Sequence, residues 1–167
     1  MSSPAETEGT SPEIGGTEDL VTPVSLPMIK NCMEQLGYQV GETTDTEGEG
    51  DSVEGIWNNV KISFNLGDGN VWLAIVSHWD PPAEVNALAS NEQVLLLQEA
   101  ANDWNRQYLQ PVASPHRVNG EVSIRLDYVV YISAGMSKRQ LRKHVMRGIG
   151  VILQAHHTLP KLFPPIL

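Results

Sequence analysis

Cysteine is almost absent from this chain of 167 residues, whose only cysteine is Cys32. A single thiol cannot form an internal disulfide, and it cannot supply the cysteine cluster of a structural zinc site. The sequence also lacks an apolar run of the ~18–20 residues that a membrane helix needs. A secretory signal begins with a positively charged segment followed by an apolar one, and this pattern is not found at the start of the sequence. We therefore expect a soluble cytoplasmic protein with no membrane partner.

Basic residues are scarce in the first part of the chain. Residues 1–54 contain twelve acidic side chains and one basic side chain, Lys30, whereas the remainder contains eight acidic and ten basic ones. The formal net charge is −9. This acidity disfavours general affinity for polyanions, so we expect no nucleic-acid partner. Residues 137–161 are the exception, because they contain six basic side chains and no acidic one.

The two ends of the chain have the composition of tails. Residues 1–20 are rich in Ser, Thr, Pro, Gly and Glu, and they cannot bury enough apolar surface to offset the entropy lost on ordering. We predict a disordered acidic N-terminal tail there. Residues 159–167 are rich in proline and leucine, which predicts an extended C-terminal strap. Residues 21–158 then form one domain.

The most regular pattern lies between residues 112 and 157. Apolar and polar residues alternate over 122–133, which predicts a strand with one buried face. Asn119–Gly120 before it favours the type I′ turn of a hairpin. Ser137 is a suitable N-cap for a helix that extends to about His157. The apolar stripe of this helix consists of Leu141, Val145, Ile149, Ile152 and His156.

The rest of the chain adds further helices and strands. In chain order these are a helix over 25–37, strands over 38–40, 55–65 and 71–79, and a helix over 91–109. Residues 43–52 are predicted to be an acidic loop, and 66–70 a hairpin loop that no helix follows, unlike a phosphate-binding turn. The order α-β-β-β-α-β-β-α predicts an α+β fold, with helices packed against an antiparallel sheet.

Three histidines near the end of the chain raise the question of a metal site. His144 and His156 are twelve residues apart, which is about 18 Å along a helix, and adjacent His156 and His157 point about 100° apart. These spacings favour structural or solvated histidines. We predict neither a metal nor a cofactor.

The strongest functional signal is a basic helix face, which consists of Lys138, Arg139, Arg142, Lys143 and Arg147. Lys138, Arg142 and the neighbouring Arg139 and Lys143 are expected on the side opposite Leu141, Val145 and Ile149. Cations near a helix N-terminus oppose the helix dipole by ~0.3–1 kcal/mol each, so their presence there is suggestive. Two interpretations remain open: an ordinary solvated face, or a docking surface for an acidic segment such as the protein's own N-terminal tail.

Two tryptophans and two glycines are further candidates for contacts. Trp57 and Trp79 lie at predicted strand ends, where we expect exposed protein-binding side chains. Gly148 and Gly150 each cost a helix ~1 kcal/mol relative to alanine. They predict a close approach of the last helix to the sheet or to another helix, including one in a dimer.

An alternative function is a small-molecule-binding or enzymatic domain, with a pocket between the second helix and the strands. Trp104, Arg125 and Asp127 would line that pocket. The sequence offers no nucleophile or histidine partner at a spacing typical of catalysis, so we favour a non-enzyme. A convergent polar pocket would support the alternative, whereas a flat apolar sheet face would support partner binding.

The chain resembles the YbjN family, whose members are labelled bacterial sensory transduction regulators, and its actinobacterial members in particular. The resemblance covers residues 22–157. It depends on Leu36-Gly37-Tyr38, Trp72-Leu73-Ala74, Asn102-Asp103-Trp104-Asn105, Asn119-Gly120 with Asp127-Tyr128, and Ala134-Gly135-Met136-Ser137. The family is similar in fold to type III secretion chaperones, which are dimers that bind other polypeptides. The resemblance implies a non-catalytic regulatory or chaperone-like module that binds a protein or peptide and forms a homodimer.

Overall fold

The computed structural model of the protein describes residues 16–44 and 50–163, and over these residues it contains one sheet of six strands. The order across the sheet is β1-β2-β3-β4-β6-β5, and all neighbouring strands are antiparallel. The strands are β1 Val40–Thr43, β2 Ser52–Trp57, β3 Val60–Leu66, β4 Trp72–Trp79, β5 Val112–Val118 and β6 Glu121–Tyr131.

Helices cover one face of this sheet. Within the described residues they are α1 Leu26–Gln35, α2 Ala83–Asn86, α3 Ser90–Gln107 and α4 Lys138–Leu162. The short α2 was not predicted. Ser137 caps α4 as expected, because its Oγ accepts from Gln140 N at 3.2 Å while the Gln140 side chain accepts from Ser137 N. The α+β class and the antiparallel sheet are therefore confirmed.

The core between helices and sheet has two neighbouring parts. Around α1 and the first half of α4, fully buried side chains include Ile29, Phe64 and Leu141. Around α3 and the end of α4, they include Trp104 and Leu159. The core-facing positions of β6 join both parts. This arrangement places the outer side of α4 and the opposite face of the sheet on the surface.

The strand predicted over 55–65 is wrong as a single element, because the chain reverses at Asn58–Asn59. Both residues have positive φ, 50° and 64°, which is the requirement of a type I′ turn. β2 and β3 therefore form a hairpin, with Ile56 opposite Lys61. The ends of the predicted loop over 43–52 belong to β1 and β2, and residues 45–49 lie outside the described residues.

The other two predicted turns are confirmed. Asn119 and Gly120 have φ values of 51° and 87° and connect β5 to β6, with Val118 opposite Glu121. Residues 67–70 connect β3 to β4, since Gly67 N donates to Trp72 O at 2.9 Å.

The predicted C-terminal strap is wrong for residues 159–162, which form the last turn of α4. Pro160 cannot donate the backbone hydrogen bond of that turn. The turn nevertheless packs well, because Leu159 is fully buried and the Phe163 ring lies 5.5 Å from that of Trp79. Burial of these side chains outweighs the missing bond. Residues 164–167 lie outside the described residues.

The end of the predicted acidic tail has a defined position. Thr17–Asp19 form a single 3-10 turn, and Thr22 exchanges two backbone hydrogen bonds with Met136, of 3.1 and 2.9 Å. Disorder was predicted for residues 1–20, and residues 1–15 of that segment lie outside the described residues.

Candidate protein-binding surfaces

The two faces of the sheet differ sharply in burial. Along β6, Ile124, Leu126 and Tyr128 are buried beneath the helices, whereas Arg125 and Asp127 are partly exposed on the other side. This alternation follows from the two-residue period of a strand. It was predicted from the sequence, but the identity of the residues that share the outer side depends on the pairing of the strands.

We call this outer side the open sheet face. The register places Trp72 opposite Tyr131, and Val76 and Val112 both opposite Asp127. Six large apolar side chains on this face are between 40% and 73% exposed. They are Ile56, Trp72, Val112, Val118, Val129 and Tyr131. Trp72, Val129 and Tyr131 adjoin one another at one end of this face, and an exposed apolar patch of this kind is typical of a protein-interaction site.

A shallow groove of about 590 Å³ runs across the middle of the open sheet face. Ala74 and Val76 line its floor and Trp72 lies at one end. Arg125 and Asp127 line it as well, and the Arg125 Nε donates to both Asp127 carboxylate oxygens, at 3.0 and 2.9 Å. The two opposite charges therefore satisfy each other within the same strand.

The pocket predicted around Trp104, Arg125 and Asp127 is wrong in its composition. Trp104 is fully buried on the helix side of the sheet, where its Nε1 donates to Pro111 O at 2.7 Å. Arg125 and Asp127 lie on the opposite side. The neighbouring Asn105 has a structural role. Its Oδ1 accepts a hydrogen bond from Ala113 N at 2.9 Å, and its Nδ2 donates one to Ala113 O at 2.8 Å. These contacts attach α3 to β5.

The expected exposure of the two candidate tryptophans is also not found. Trp79 is only 7% exposed and belongs to the core under α3. Trp57 is half-buried, with its ring edge-on to that of Tyr38 at 5.4 Å. The exposed aromatic pair is instead Trp72 and Tyr131, whose ring centroids are 5.0 Å apart.

A signal for that pair is present in the sequence. The outward positions of β6 are polar at Ser123, Arg125 and Asp127 and then become apolar at Val129 and Tyr131. A polar side that turns apolar along a strand is a signal of an exposed apolar patch, which is typical of an interaction surface.

The basic helix face is on the surface of α4, on the other side of the molecule. The expected position opposite the apolar stripe is wrong for Lys138 and Arg142, which lie beside Leu141 and α1. Arg139 Nε lies 3.1 Å from Asp19 Oδ1, and Arg142 Nη2 lies 3.5 Å from Glu18 Oε1. Residues 16–44 and 50–163 contain no carboxylate within 4.0 Å of the amino or guanidinium nitrogens of Lys138, Lys143 or Arg147.

The histidines of α4 take part in structural hydrogen bonds. His156 Nε2 lies 2.9 Å from Ser77 Oγ, which donates to Lys61 O at 2.8 Å. His144 Nδ1 lies 3.0 Å from the Tyr128 hydroxyl. Burial lowers the pKa of the His156 imidazole, and burial together with the Arg147 charge lowers the pKa of His144. In the described part of the chain, no three metal-binding side chains converge.

Comparison with known proteins identifies the family of this fold. The family model whose description reads "Putative bacterial sensory transduction regulator", named YbjN, matches residues 25–160. The chain belongs to the YbjN family. No curated protein sequence matches the chain.

Two similar solved structures support this fold, and a third shows a weaker likeness. The chain is similar to YbjN from E. coli, described as "a putative transcription regulator", with a TM-score of 0.61 and 14% identity over 87% of this chain and 100% of that one. It is also similar to an uncharacterized protein from Methanothermobacter thermautotrophicus, with a TM-score of 0.54 and 16% identity over 84% and 100% of the two chains. A chain of the HopA1–SchA chaperone–effector complex has a TM-score of 0.45 and 11% identity over 78% and 91%.

No helix within residues 16–44 and 50–163 combines the length and the hydropathy that crossing a bilayer requires.

Proposed function

We propose that this protein is a non-catalytic regulatory module that binds a protein through its open sheet face. The observation that carries the proposal is that this one face exposes six large apolar side chains, of which Trp72, Val129 and Tyr131 adjoin one another. The proposed location is the cytoplasm, where a chain with a single buried cysteine needs no oxidising environment.

The first partner that we propose is a second copy of the chain. The six strands differ in length but average about 24 Å, and with a spacing of about 4.8 Å they give the face an area of about 680 Å². Specific interfaces bury about 600–1,000 Å² per partner, so the face lies at the lower end of that range. Such a dimer would leave the basic helix faces of both copies accessible.

The charges of the open sheet face are compatible with contact between identical surfaces. Arg125 is paired with Asp127, and Lys61 Nζ lies 2.9 Å from Glu54 Oε2. Both basic side chains of the face are therefore close to an acidic one, and Glu121, opposite Val118, adds one further acidic side chain at the start of β6. A two-fold axis brings the same patch from both copies together, which a surface with balanced charge tolerates and a surface of one sign does not.

Light scattering coupled to size-exclusion chromatography tests this proposal on the full chain. We expect a mass of twice 18.3 kDa for the wild type. Tyr131→Lys places a charge in the apolar part of the face and should give the monomer mass. Leu95→Lys is the matched control, because Leu95 lies on α3 and is 66% exposed, compared with 61% for Tyr131.

The outcomes separate clearly. A dimer in the wild type and in Leu95→Lys, with a monomer in Tyr131→Lys, would support the proposal. A monomeric wild type, or a dimer that Tyr131→Lys leaves intact, would contradict the homodimer on this face. Circular dichroism would confirm that each variant is folded.

A second candidate function is the binding of a small molecule in the groove. The groove volume of about 590 Å³ lies within the ~300–1,000 Å³ typical of ligand sites. Arg125 and Asp127 would supply the polar contacts, together with Asn65. Asp127→Asn should abolish such binding in calorimetry, while it should leave a dimer that depends on apolar contacts in place.

A further inference from the structure

The segment before α1 follows the outer surface of α4 in the direction opposite to the helix. Thr22 bonds the backbone of Met136, just before the helix begins. Asp19 contacts Arg139 in the first turn, and Glu18 contacts Arg142 in the next. Each step backward in the sequence therefore moves the contact forward along α4.

Charge continues on both sides beyond the last contact. Lys143 and Arg147 lie further along the helix and around it. Arg147 is about 7.5 Å beyond Arg142 and about 140° around the axis from it, and Lys143 is about 100° around the axis. Residues 1–15 contain three glutamates and no basic residue. Glu13 is five residues before Glu18, a distance of up to about 17 Å in an extended chain. That length is enough for Glu13 to reach Lys143.

We propose that residues 1–20 are a built-in ligand of the basic helix face, which is a docking surface for acidic peptides. The N-terminal segment occupies the face until a partner's acidic segment displaces it. The surface thus carries its own competitor, and binding of the partner depends on release of the segment.

The observed contacts suit an exchangeable occupant. Both ion pairs are exposed: the Asp19 side chain is 48% accessible and that of Arg139 is 60% accessible. Leu20 and Val21 also remain exposed rather than entering the core. Pairs of this kind are individually weak and are screened by salt, so a second acidic peptide can replace them.

The test uses the full chain and a fluorescein-labelled peptide with the sequence of residues 1–20. In fluorescence anisotropy at low salt, we expect Glu18→Gln/Asp19→Asn to bind the peptide more tightly than the wild type, by about twofold to thirtyfold, as expected from the loss of two exposed pairs. Adding Arg139→Gln/Arg142→Gln should remove this gain. Glu84→Gln/Glu99→Gln is the matched control, because it removes two exposed carboxylates from α2 and α3 and should match the wild type.

Each other result overturns the proposal. Equal peptide binding by the wild type and by Glu18→Gln/Asp19→Asn would mean that the segment does not compete. An equal gain in peptide affinity in Glu84→Gln/Glu99→Gln would mean that the gain comes from the lower net negative charge and not from release of the segment. Tighter binding of a DNA duplex than of the peptide would assign the face to another class of partner. These results do not depend on the oligomeric state, which tests the open sheet face.

Discussion

Gly148 allows α4 to approach the sheet closely, and its replacement gives a sharp test of that packing. A Cβ at this position would lie 2.4 Å from Ile75 Cδ1 and 3.2 Å from Tyr128 Cδ1. The first distance is too short for any real contact, so Ile75 must move within a fully buried environment. The predicted close approach of this glycine to the sheet is thus confirmed.

Gly148→Ala changes two opposing contributions to the free energy of unfolding. Alanine favours the helix by about 1 kcal/mol relative to glycine. Overpacking a filled core costs about 1–3 kcal/mol. The expected sum is a change between about zero and a loss of about 2 kcal/mol.

Gly150→Ala is the matched control on the same helix. No atom lies within 4 Å of a Cβ built there, so only the helix contribution remains, and we expect a gain of up to about 1 kcal/mol. Urea denaturation followed by circular dichroism would measure both variants, with equal m-values required. Equal stabilisation by the two substitutions would refute the close approach of α4 to Ile75.

Three further predictions concern other parts of the fold. Burial lowers the pKa of His144 and His156 in the folded state, so the unfolded chain binds more protons once the pH falls below about 6.5. The free energy of unfolding should therefore be at its full value above that pH and decrease below it. Urea titrations at several pH values would show this, and His156→Gln should reduce the dependence of the free energy of unfolding on pH. Asn105→Ala removes both bonds to Ala113 and should cost about 1–3 kcal/mol in thermal denaturation, whereas no loss would mean that these bonds do not hold α3. Asn59→Gly, at a φ of 64°, should stabilise the β2–β3 hairpin by a few tenths of a kcal/mol or more, and destabilisation would contradict the turn.

The parts of the fold that depend on local pattern could be predicted from the sequence. Alternation along β6, the Asn119–Gly120 turn and the Ser137 cap each depend on neighbouring residues alone. The Asn58–Asn59 turn was missed because asparagine adopts positive φ less readily than glycine, so that two asparagines indicate a turn only weakly. The end of α4 was missed because Pro160 is a local signal to stop, whereas the burial of Leu159 is a tertiary effect.

The candidate site was harder to predict for a different reason. The predicted pocket between the second helix and the strands brings Trp104 and Asp127 together, whereas the two residues lie on opposite sides of the sheet. The pattern of a strand shows which residues share a face, but it does not show on which face a distant helix packs. The open sheet face emerges only when β4 is paired with β6, which places Trp72 beside Tyr131. The basic helix face, in contrast, lies within one element and could be identified directly.

The position of β6 between β4 and β5 has a consequence for how the protein folds and responds to binding. β1 to β4 follow one another in sequence and space, and β5 and β6 form a separate hairpin. Within the described sheet the two halves meet in the ladder from Trp72–Tyr131 to Trp79–Ile124, and α4 packs across both halves. Contacts across that ladder close a long loop, so we expect them to form late in folding. The groove lies over this junction, with residues from β3, β4 and β6 along it. A partner bound there would hold the halves together, and amide hydrogen exchange should slow most along β4 and β6.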